Sequence, residues 1–359
     1  MVLPEFCACD NNNRYISVIL WEGILIPKQV EKGVLMGKSL NIRVGHLKII
    51  DHLILGYSVF RLQSNGDPLH HSTLENIPMN SWEQICEDLR KGDLHGAFIT
   101  APLAMDLFAA GLDISMLMFV HRAGSLMVRN RRARIKNLVD LQGKTILIPS
   151  NLSVQHLLLH KLLTAAGFSL KSYAPFKSDP KDITTEVVSP FLMPQMLKND
   201  QDLDIAAYIV PEPYGSQAIA ERTADKFCTS DSLWKDHPCC GFVVRKELET
   251  SQKKAVEELV RHFFQSAAAL DNQLLGGQID EQTLNFAKDF LGQEQGIVKE
   301  ALLNSGISFT PSKLFPDKAS LDTIQTYMTD TMGVMPQTID LDAFLKSSHA
   351  TKAISEITL

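Results

Sequence analysis

The sequence predicts an α/β protein of two lobes, each built on a doubly wound, mainly parallel sheet. Three observations predict this fold class. Short apolar runs that suit buried strands alternate with helical segments through residues 41–244. Several of these runs end in a turn of small residues or proline that opens a helix. The length of 359 residues exceeds what one compact core accommodates, so two lobes of ordinary domain size are expected.

The stretch from Gly92 to Ser125 is the clearest unit of this pattern. Its apolar run over 94–99 predicts a buried strand. We expect Thr100 to cap a helix over 103–110, with Pro102 at its first position and Gly111 as its left-handed stop. Free backbone N–H groups at the start of that helix would form a receptor for a small anion or polar solute.

Upstream of that stretch, the sequence predicts a strand over 41–47 and a helix over 51–62. The segment 63–78 is rich in Asn, Gly, Asp, Pro and His, which predicts a loop. A helix over 82–90 is expected next, since Ser81 and the glutamine three positions later have the capping-box spacing.

Downstream, the alternation continues and ends in a helical region. Strands are predicted over 126–129, 144–148, 184–188, 205–210 and 241–244, with helices between them over 153–166, 190–198 and 211–224. Hydrophobic spacing then predicts helices over 252–275, 281–292, 296–305 and 318–333. No internal repeat interrupts this order.

Composition excludes some classes of function. The net charge of −6 argues against a nucleic-acid partner, because phosphate neutralisation needs a basic face. The basic run over 129–134 is expected to be a solvated loop, with a partner or anion contact as the alternative. Six cysteines in so long a chain do not predict a disulfide framework. The adjacent Cys239 and Cys240 are expected to be two buried thiols, with a strained vicinal disulfide as the alternative.

No stretch reaches the roughly 18 apolar residues of a membrane span. The apolar run over 16–27 is the nearest to a signal core, but Glu22 interrupts it and no small-residue cleavage site follows. An export signal is therefore not recognised, and residues 1–35 are expected to be an extension or a mis-assigned start.

Catalytic motifs do not occur at the predicted strand-to-helix turns. We do not expect the histidine pairs His70/His71 and His46/His52 to bind a metal ion. Glu212 suits either a helix-capping carboxylate or a cleft-lining one. What recurs at three strand ends is a turn of small residues or proline, where ligands sit in open α/β sheets. This pattern favours binding over chemistry and predicts no enzyme.

Five segments resemble a known family in its own order over residues 40–244. They are LHGAFITAPLAMDLFAAG, MLMFVHRAGS, GKTILIPSNLSVQHLLLHKLLTAAGF, AAYIVPEPYGSQAIAER and SLWKDHPCCGFVV. These segments resemble the nitrate/bicarbonate branch of the nitrate/sulfonate/bicarbonate (NMT1-like) solute-binding proteins of ABC importers. The resemblance implies the type II periplasmic-binding-protein fold, with a hinge of two chain crossings near 120–123 and 241–244 that closes over one solute.

The same resemblance implies the function and the partners. The protein would bind a small anion such as nitrate, bicarbonate or a sulfonate and deliver it to an ABC permease and ATPase. It implies no cofactor, a monomer and a periplasmic location. The expected domains are an extension over 1–35, a first lobe from 36–121 plus 245–359, and a second lobe over 122–244.

The resemblance also implies a set of ligand-binding residues. It consists of Trp82, Phe98, Thr100, Ala101, Pro102, Gln155, His156, Pro211, Glu212 and Cys240, with no metal ligand. Two of these positions depart from the family pattern, because Pro211 replaces a glycine and Cys240 replaces a lysine. Loss of the lysine removes a charge-assisted hydrogen bond of roughly 1.5–3 kcal/mol. The ligand would then be held by backbone dipoles alone or be less charged than nitrate.

Two alternatives stay open at this stage. The first is an enzyme on the same fold, resembling the thiamine-pyrimidine synthases or the desulfinases, for which Cys239 or Cys240 would be the reactive group. The second is a cytoplasmic sensor that binds the same solute without transport.

Overall fold

Three strands near the start of the chain pair as an antiparallel meander in a unit of their own, residues 1–40. They are β1 (Glu5–Cys9), β2 (Tyr15–Trp21) and β3 (Ile24–Pro27). The computed structural model describes residues 5–9, 15–21, 24–27, 40–64, 68–172, 179 and 181–357. The apolar run over 16–27 thus contributes to β2 and β3, while Glu22 and most of the predicted 1–35 extension lie outside the described residues.

A five-stranded sheet organises the first lobe of residues 41–359, in the order β5-β4-β6-β14-β7. Its strands are β4 (Leu40–His46), β5 (Ser72–Pro78), β6 (Gly96–Thr100), β7 (Ile114–Phe119) and β14 (Cys240–Arg245). Strand β4 is parallel to β6, whereas β14 is antiparallel to both β6 and β7. Strands β4, β6 and β7 therefore point the same way, and β14 runs against them.

A six-stranded sheet organises the second lobe, in the order β10-β11-β9-β12-β8-β13. Its strands are β8 (Ser125–Asn130), β9 (Thr145–Ile148), β10 (Leu170–Ser172), β11 (Ile183–Val187), β12 (Ile205–Pro211) and β13 (Ala224–Thr229). Strand β8 is antiparallel to β12 and β13, and the other pairings are parallel. The six-stranded sheet is thus mainly parallel with β8 reversed, and in the five-stranded sheet β14 runs against β4, β6 and β7. Each of these two strands is the first after a crossing between the sheets.

Helices cover both sheets and fill the C-terminal region. They are α1 (Leu53–Ser64), α2 (Trp82–Lys91), α3 (Ala101–Ala109), α4 (Val154–Ala165), α5 (Met193–Asn199), α6 (Tyr214–Ala220), α7 (Ser230–Leu233), α8 (Lys246–Ser251), α9 (Lys253–Leu275), α10 (Glu281–Leu291), α11 (Gln295–Asn304), α12 (Lys318–Thr326), α13 (Leu341–Phe344) and α14 (Ser348–Ile357). In the described part of the chain, none of them is long and apolar enough to cross a bilayer.

The long helix α9 packs on the five-stranded sheet as its hydrophobic spacing predicts. Phe263 of α9 meets Phe98 of β6 and Phe242 of β14 edge-on, with ring centroids 5.3 and 5.1 Å apart. All three rings are fully buried. Aromatic pairs in this geometry add about 0.5–1.5 kcal/mol each beyond the area they bury, so this triplet anchors the sheet.

Several predictions of secondary structure were wrong at the edges of the sheets. The predicted loop over 63–78 contains strand β5, and the predicted helix over 211–224 ends at Ala220, before strand β13. Strand β10 was not predicted either. These three strands lie at sheet edges, where one side is solvated, so their sequences are polar and lack a clear apolar run.

The chain crosses between the sheets twice, at residues 120–124 and 230–239. Strand β14 lies in the five-stranded sheet, so residues 240–244, which the sequence assigns to the second lobe, bond with β6 and β7. The exact domain boundaries remain a prediction.

Arg122 fastens the first crossing to the C-terminal region. Its backbone exchanges hydrogen bonds with Ser308 at 2.9 and 3.0 Å. Its guanidinium donates to the carbonyl oxygen of Lys313 at 2.6 Å and to the Asp317 carboxylate at 3.0 Å, and it lies 4.5 Å from the Phe119 ring centre. A largely buried arginine with these partners fixes the position of the crossing.

We expect Arg122→Ala to lower the free energy of unfolding by about 3 kcal/mol, because it leaves two partly buried carbonyl groups and the Asp317 carboxylate without a charged donor. Urea denaturation followed by circular dichroism measures the change. Arg131→Ala is the control, since the Arg131–Asp225 ion pair is half exposed at 3.8 Å and should contribute less than about 1 kcal/mol. Equal losses in both variants would contradict the fastening role of Arg122.

Candidate functional site

Four ligand-type side chains meet at the carboxyl edge of the five-stranded sheet. Asp51 follows β4, and His121 follows β7 in the first crossing. Cys239 and Cys240 lie where the second crossing enters β14. Because β14 runs against β4 and β7, its first residue is at the edge where those strands end. The topology thus collects residues that are up to 189 positions apart.

The four side chains are fully buried and in close contact. Asp51 Oδ2 lies 3.2 Å from His121 Nε2, and the Cys240 thiol donates to the same oxygen at 3.9 Å. The backbone N–H of Cys240 also lies 3.2 Å from His121 Nε2. One ring nitrogen cannot both donate to the carboxylate and accept from the N–H, so the protonation of His121 decides between these contacts.

Electrostatics in the cluster favour a charged histidine. Burial alone would lower the pKa of His121, but the Asp51 carboxylate and its hydrogen bond raise that pKa to about 10. A hydrogen bond from Cys240, supported by His121, lowers the pKa of the Cys239 thiol to about 7 against the effect of burial. Burial and the Cys239 sulfur raise the pKa of Cys240. Cys239 is therefore the more easily ionised thiol of the pair.

The cluster has the composition of a metal-binding site. The ligand atoms of its members all lie within 4.8 Å of one another, in the order Asp51, His121, Cys239 and Cys240. Thiolate, imidazole and carboxylate are the ligands that zinc and related transition metals take from proteins. The Asp51 Oδ1 atom is buried and has no hydrogen-bond partner among the described residues.

Gln155 reaches the cluster from the other sheet. It lies in the first turn of α4, which follows β9, and its Nε2 donates to Ser125 Oγ at 2.9 Å and to Cys239 Sγ at 3.4 Å. Its buried Oε1 has no partner within the described part of the chain. The neighbouring His156 instead turns to the carbonyl oxygen of Asn151 at 3.0 Å, and burial lowers its pKa. The structure thus brings Gln155, but not the His156 ring, to the cluster.

The prediction of a helix-capping Thr100 was wrong. The Thr100 side chain makes no capping bond, and its hydroxyl donates to the Leu152 carbonyl oxygen at 3.0 Å, across to the six-stranded lobe. The N–H of Ala101, predicted to be free for a ligand, donates to the carbonyl oxygen of Cys239 at 2.8 Å. Pro102 is the second residue of α3, because the helix begins at Ala101, one residue before the predicted first position. The start of α3 therefore contacts the second crossing and the opposite lobe.

An aromatic wall flanks Asp51. The His52 ring meets the rings of Trp82 and Phe98 edge-on, with centroids 5.7 and 5.8 Å apart. Trp82 Nε1–H is buried and has no acceptor among the residues that the structure describes. Burial lowers the pKa of His52 well below its usual range, and the nearby His46 and His121 add to this effect. The wall therefore offers a neutral N–H donor from Trp82.

Pro211 and Glu212 lie at the end of β12, and the Glu212 backbone joins the two lobes. Pro211 pairs with Ser125 in the sheet. The Glu212 carbonyl oxygen accepts from Ile50 N–H at 2.8 Å. The buried Glu212 carboxylate accepts from the N–H of Ser216 at 2.9 Å and from its hydroxyl, in the first turn of α6. In this arrangement the Glu212 carboxylate caps the N-terminus of α6.

An open pocket of about 300 Å³ lies where the two lobes face each other. The five-stranded lobe contributes Lys48, Asn80 and Gln293, and the six-stranded lobe contributes Phe191 and Tyr214. The Tyr214 hydroxyl donates to the Lys48 carbonyl oxygen at 3.0 Å, which adds a hydrogen bond between the lobes. The pocket therefore lies beside contacts that hold the lobes together.

Sequence reasoning missed Asp51 and His121. Neither belongs to a short motif, and each follows its strand at a different distance. The one usable signal was the position of the FVHR segment at a predicted crossing, next to the strand that ends there. The family resemblance pointed to Cys240 and Gln155 as solute ligands, which stays a prediction, and the structure places their side chains at the cluster.

Comparisons with known proteins agree with this architecture. A model of the NMT1-like family matches residues 42–275. The nitrate import ATP-binding protein NrtC of Synechocystis is 28% identical over 230 residues. That match covers 58% of this chain and 32% of NrtC, so the chain spans about a third of the length of this relative.

Solved structures show the same fold. The periplasmic nitrate-binding protein NrtA of Synechocystis superposes with a TM-score of 0.74 at 15% identity, over 89% of each chain. A zinc-bound ligand-binding component of an ABC-type import system from Staphylococcus aureus gives 0.72 at 20% identity, over 88% of this chain and 99% of that one. The alkanesulfonate-binding protein SsuA of Xanthomonas axonopodis gives 0.67 at 16% identity, over 86% and 99%.

Glu212 predicts a pH dependence of stability. Burial raises the pKa of its carboxyl to about 7, although Ser216 and Gly215 oppose the shift. The folded state then binds the Glu212 proton more tightly than the unfolded state does. The protonated carboxyl therefore contributes fully to the free energy of unfolding below about pH 4.5, and this contribution is lost as the pH rises through 7.

We expect Glu212→Gln, which mimics the protonated acid, to remove the fall in the free energy of unfolding that ionisation of Glu212 causes at high pH. From pH 5 to pH 8.5 the variant should gain about 2–3 kcal/mol relative to the unsubstituted protein in urea denaturation. Glu300→Gln, at an exposed position of α11, is the control and should leave the pH profile unchanged. A Glu212→Gln profile parallel to that of the unsubstituted protein would refute a raised carboxyl pKa.

Proposed function

Because the chain belongs to the NMT1-like family, we propose that it is the solute-binding component of an ABC-type importer, not an enzyme. It holds one small solute between its two lobes. The observation that carries this proposal is the set of buried polar atoms without partners, from both lobes, where the lobes meet. Among the described residues these include Trp82 Nε1 and Asp51 Oδ1 from one side and Gln155 Oε1 from the other. An enclosed anion would accept from the Trp82 N–H, whereas the two acceptor oxygens of Asp51 and Gln155 call for a proton donor or a cation.

The proposed solute is a small anion such as nitrate, bicarbonate or a sulfonate. Relatives with this fold are described as binding nitrate and an alkanesulfonate. Trp82 Nε1–H is a donor only, so its missing partner must be an acceptor such as an anion oxygen. The Asp51 carboxylate would repel an anion at the cluster itself, so we propose that the solute lies on the Trp82 side.

The partners follow from the same comparison. We propose that an ABC permease receives the solute and that an ATPase drives its uptake, with the protein working as a monomer in the periplasm. The relation to an ATP-binding subunit of a nitrate importer supports this context. A solute-binding role requires the lobes to open, since the interlobe hydrogen bonds of Thr100 and Tyr214 close the present arrangement.

A ligand screen tests the proposal. Nitrate, nitrite, bicarbonate and short alkanesulfonates are added to the protein, and the melting temperature is measured. A binding anion should raise the melting temperature with its concentration by mass action. No response to any of these anions would overturn the proposed solute class.

We expect Trp82→Phe to weaken binding of the responding anion about tenfold, because the variant keeps the ring and loses one N–H donor. Isothermal titration calorimetry measures the change. Trp234→Phe is the matched control, since Trp234 lies at the end of α7 in the second crossing and makes its ring contacts with Lys161 and His237. Equal affinities of the two variants would rule out Trp82 as a solute donor.

A second candidate is a thiol enzyme on the same fold. The lowered pKa of Cys239, with His121 and Asp51 beside it, is the arrangement that activates a nucleophilic cysteine. However, the Cys239 side chain is fully buried, which denies a substrate access in this arrangement.

Alkylation separates the two candidates. The folded protein is treated with iodoacetamide at pH 7.5, and modified cysteines are identified by peptide mass spectrometry. We expect Cys239 and Cys240 to stay unmodified until urea is added, because both are buried. Cys228, which is partly exposed, serves as the internal reference. Rapid and selective modification of Cys239 would favour the enzyme.

A further inference from the structure

We infer that the protein binds one thiophilic divalent cation such as Zn²⁺ through the side chains of Asp51, His121, Cys239 and Cys240. The inference goes beyond transport and rests on the chemistry of the cluster, so it stands or falls independently of the importer role. Two sulfur ligands, one imidazole and one carboxylate are a set that tetrahedral zinc accepts.

The spacing of the ligand atoms suits a single ion. Metal bonds of about 2.0–2.3 Å in tetrahedral geometry place neighbouring ligand atoms roughly 3.3–3.8 Å apart. The distances in the cluster are 3.2 Å from Asp51 Oδ2 to His121 Nε2 and 3.9 Å to Cys240 Sγ, with none above 4.8 Å. An ion at the centre would therefore need only small side-chain shifts.

The surroundings of Asp51 also suit a cation, which would displace the proton that His121 shares with this carboxylate. Asp51 is 1% exposed, and in the described part of the chain its only ion-pair partner is His121. The adjacent Arg122 turns away to Lys313 and Asp317. Buried carboxylates are normally paired or bound to metal, and the Oδ1 atom of Asp51 has no partner among the described residues. A divalent cation would satisfy this atom.

Residues around the cluster hold Cys239 in a fixed orientation, as the ligands of metal sites require. Gln155 Nε2 donates to Cys239 Sγ at 3.4 Å and is itself held by Ser125 Oγ at 2.9 Å. Hydrogen bonds from neighbouring residues to a ligating sulfur fix its direction. The backbone carbonyl of Cys239 is held by the N–H of Ala101 at 2.8 Å. The cysteine pair is thus positioned on both its backbone and its side chain.

Cation binding would tie the two crossings together. His121 belongs to the first crossing, and Cys239 ends the second. Asp51 attaches both of them to the segment after β4. A bound ion would therefore restrain the segments that must move when the lobes open, which links metal occupancy to hinge motion.

The test uses Co²⁺ as a spectroscopic probe for Zn²⁺. The full-length protein is reduced, stripped with EDTA and titrated with Co²⁺ under anaerobic conditions. We expect one Co²⁺ per chain, with thiolate charge-transfer absorption and the intense visible bands of tetrahedral coordination. Zn²⁺ should displace Co²⁺ and abolish the bands. Absence of the charge-transfer absorption would overturn the inference.

Variants assign the signal to the cluster. Cys240→Ser and Cys239→Ser should each weaken Zn²⁺ binding at least 100-fold, because each removes a direct sulfur ligand. Cys86→Ser, a buried cysteine of α2, is the matched control and should keep the bands. A Cys7→Ser/Cys9→Ser double variant should keep them as well. Bands that persist in both cluster variants would refute the site.

Two further measurements keep the result decisive. If a cysteine variant does not fold, the isosteric Asp51→Asn variant replaces it, and a loss of Zn²⁺ affinity of tenfold or more is expected. Unchanged affinity in Asp51→Asn would count against the four-ligand site.

The same preparations are titrated with nitrate and an alkanesulfonate. Zn²⁺ binding without any anion response would support the cation site and reject the proposed solute, so the two proposals fail separately.

Discussion

The reversal of strand β14 is the constraint on which the site depends. It runs against β6 and β7, so the second crossing enters the five-stranded sheet at the edge where the parallel strands leave it. Cys239 and Cys240 are thereby brought to Asp51 and His121. In the other lobe β8 is reversed in the same way, which sets Ser125 beside Gln155. The same topology thus builds both the hinge and the cluster.

Much of the fold could be predicted from the sequence because its central strands are buried on both faces. The runs at β6, β9 and β12 are apolar almost throughout and alternate with helical segments. The strands β5, β10 and β13 were missed because they are edge strands, whose composition resembles that of loops. Their pairing depends on partners far along the chain, which local patterns do not reveal.

The site could be predicted only in part. Resemblance pointed to Cys240, Gln155 and Thr100, but the direction of each side chain is set by contacts with residues far along the chain. The hydroxyl of Thr100, for example, suits a helix cap locally and is taken instead by Leu152. Asp51 and His121 become partners only through the order of strands in the sheet. Tertiary contacts of this kind outweigh local preferences such as capping.

Burial of the cluster links its chemistry to motion. Neither a solute nor a cation reaches fully buried side chains unless the lobes separate, and separation must break the hydrogen bonds at Thr100, Tyr214 and Glu212. Opening costs the free energy of these hydrogen bonds. A bound solute or cation that pairs with the unsatisfied buried atoms would offset part of this cost only when the lobes close again. Under the proposed function, closure and binding would stabilise each other, because the buried polar atoms at the lobe junction would find partners only in the closed, occupied state.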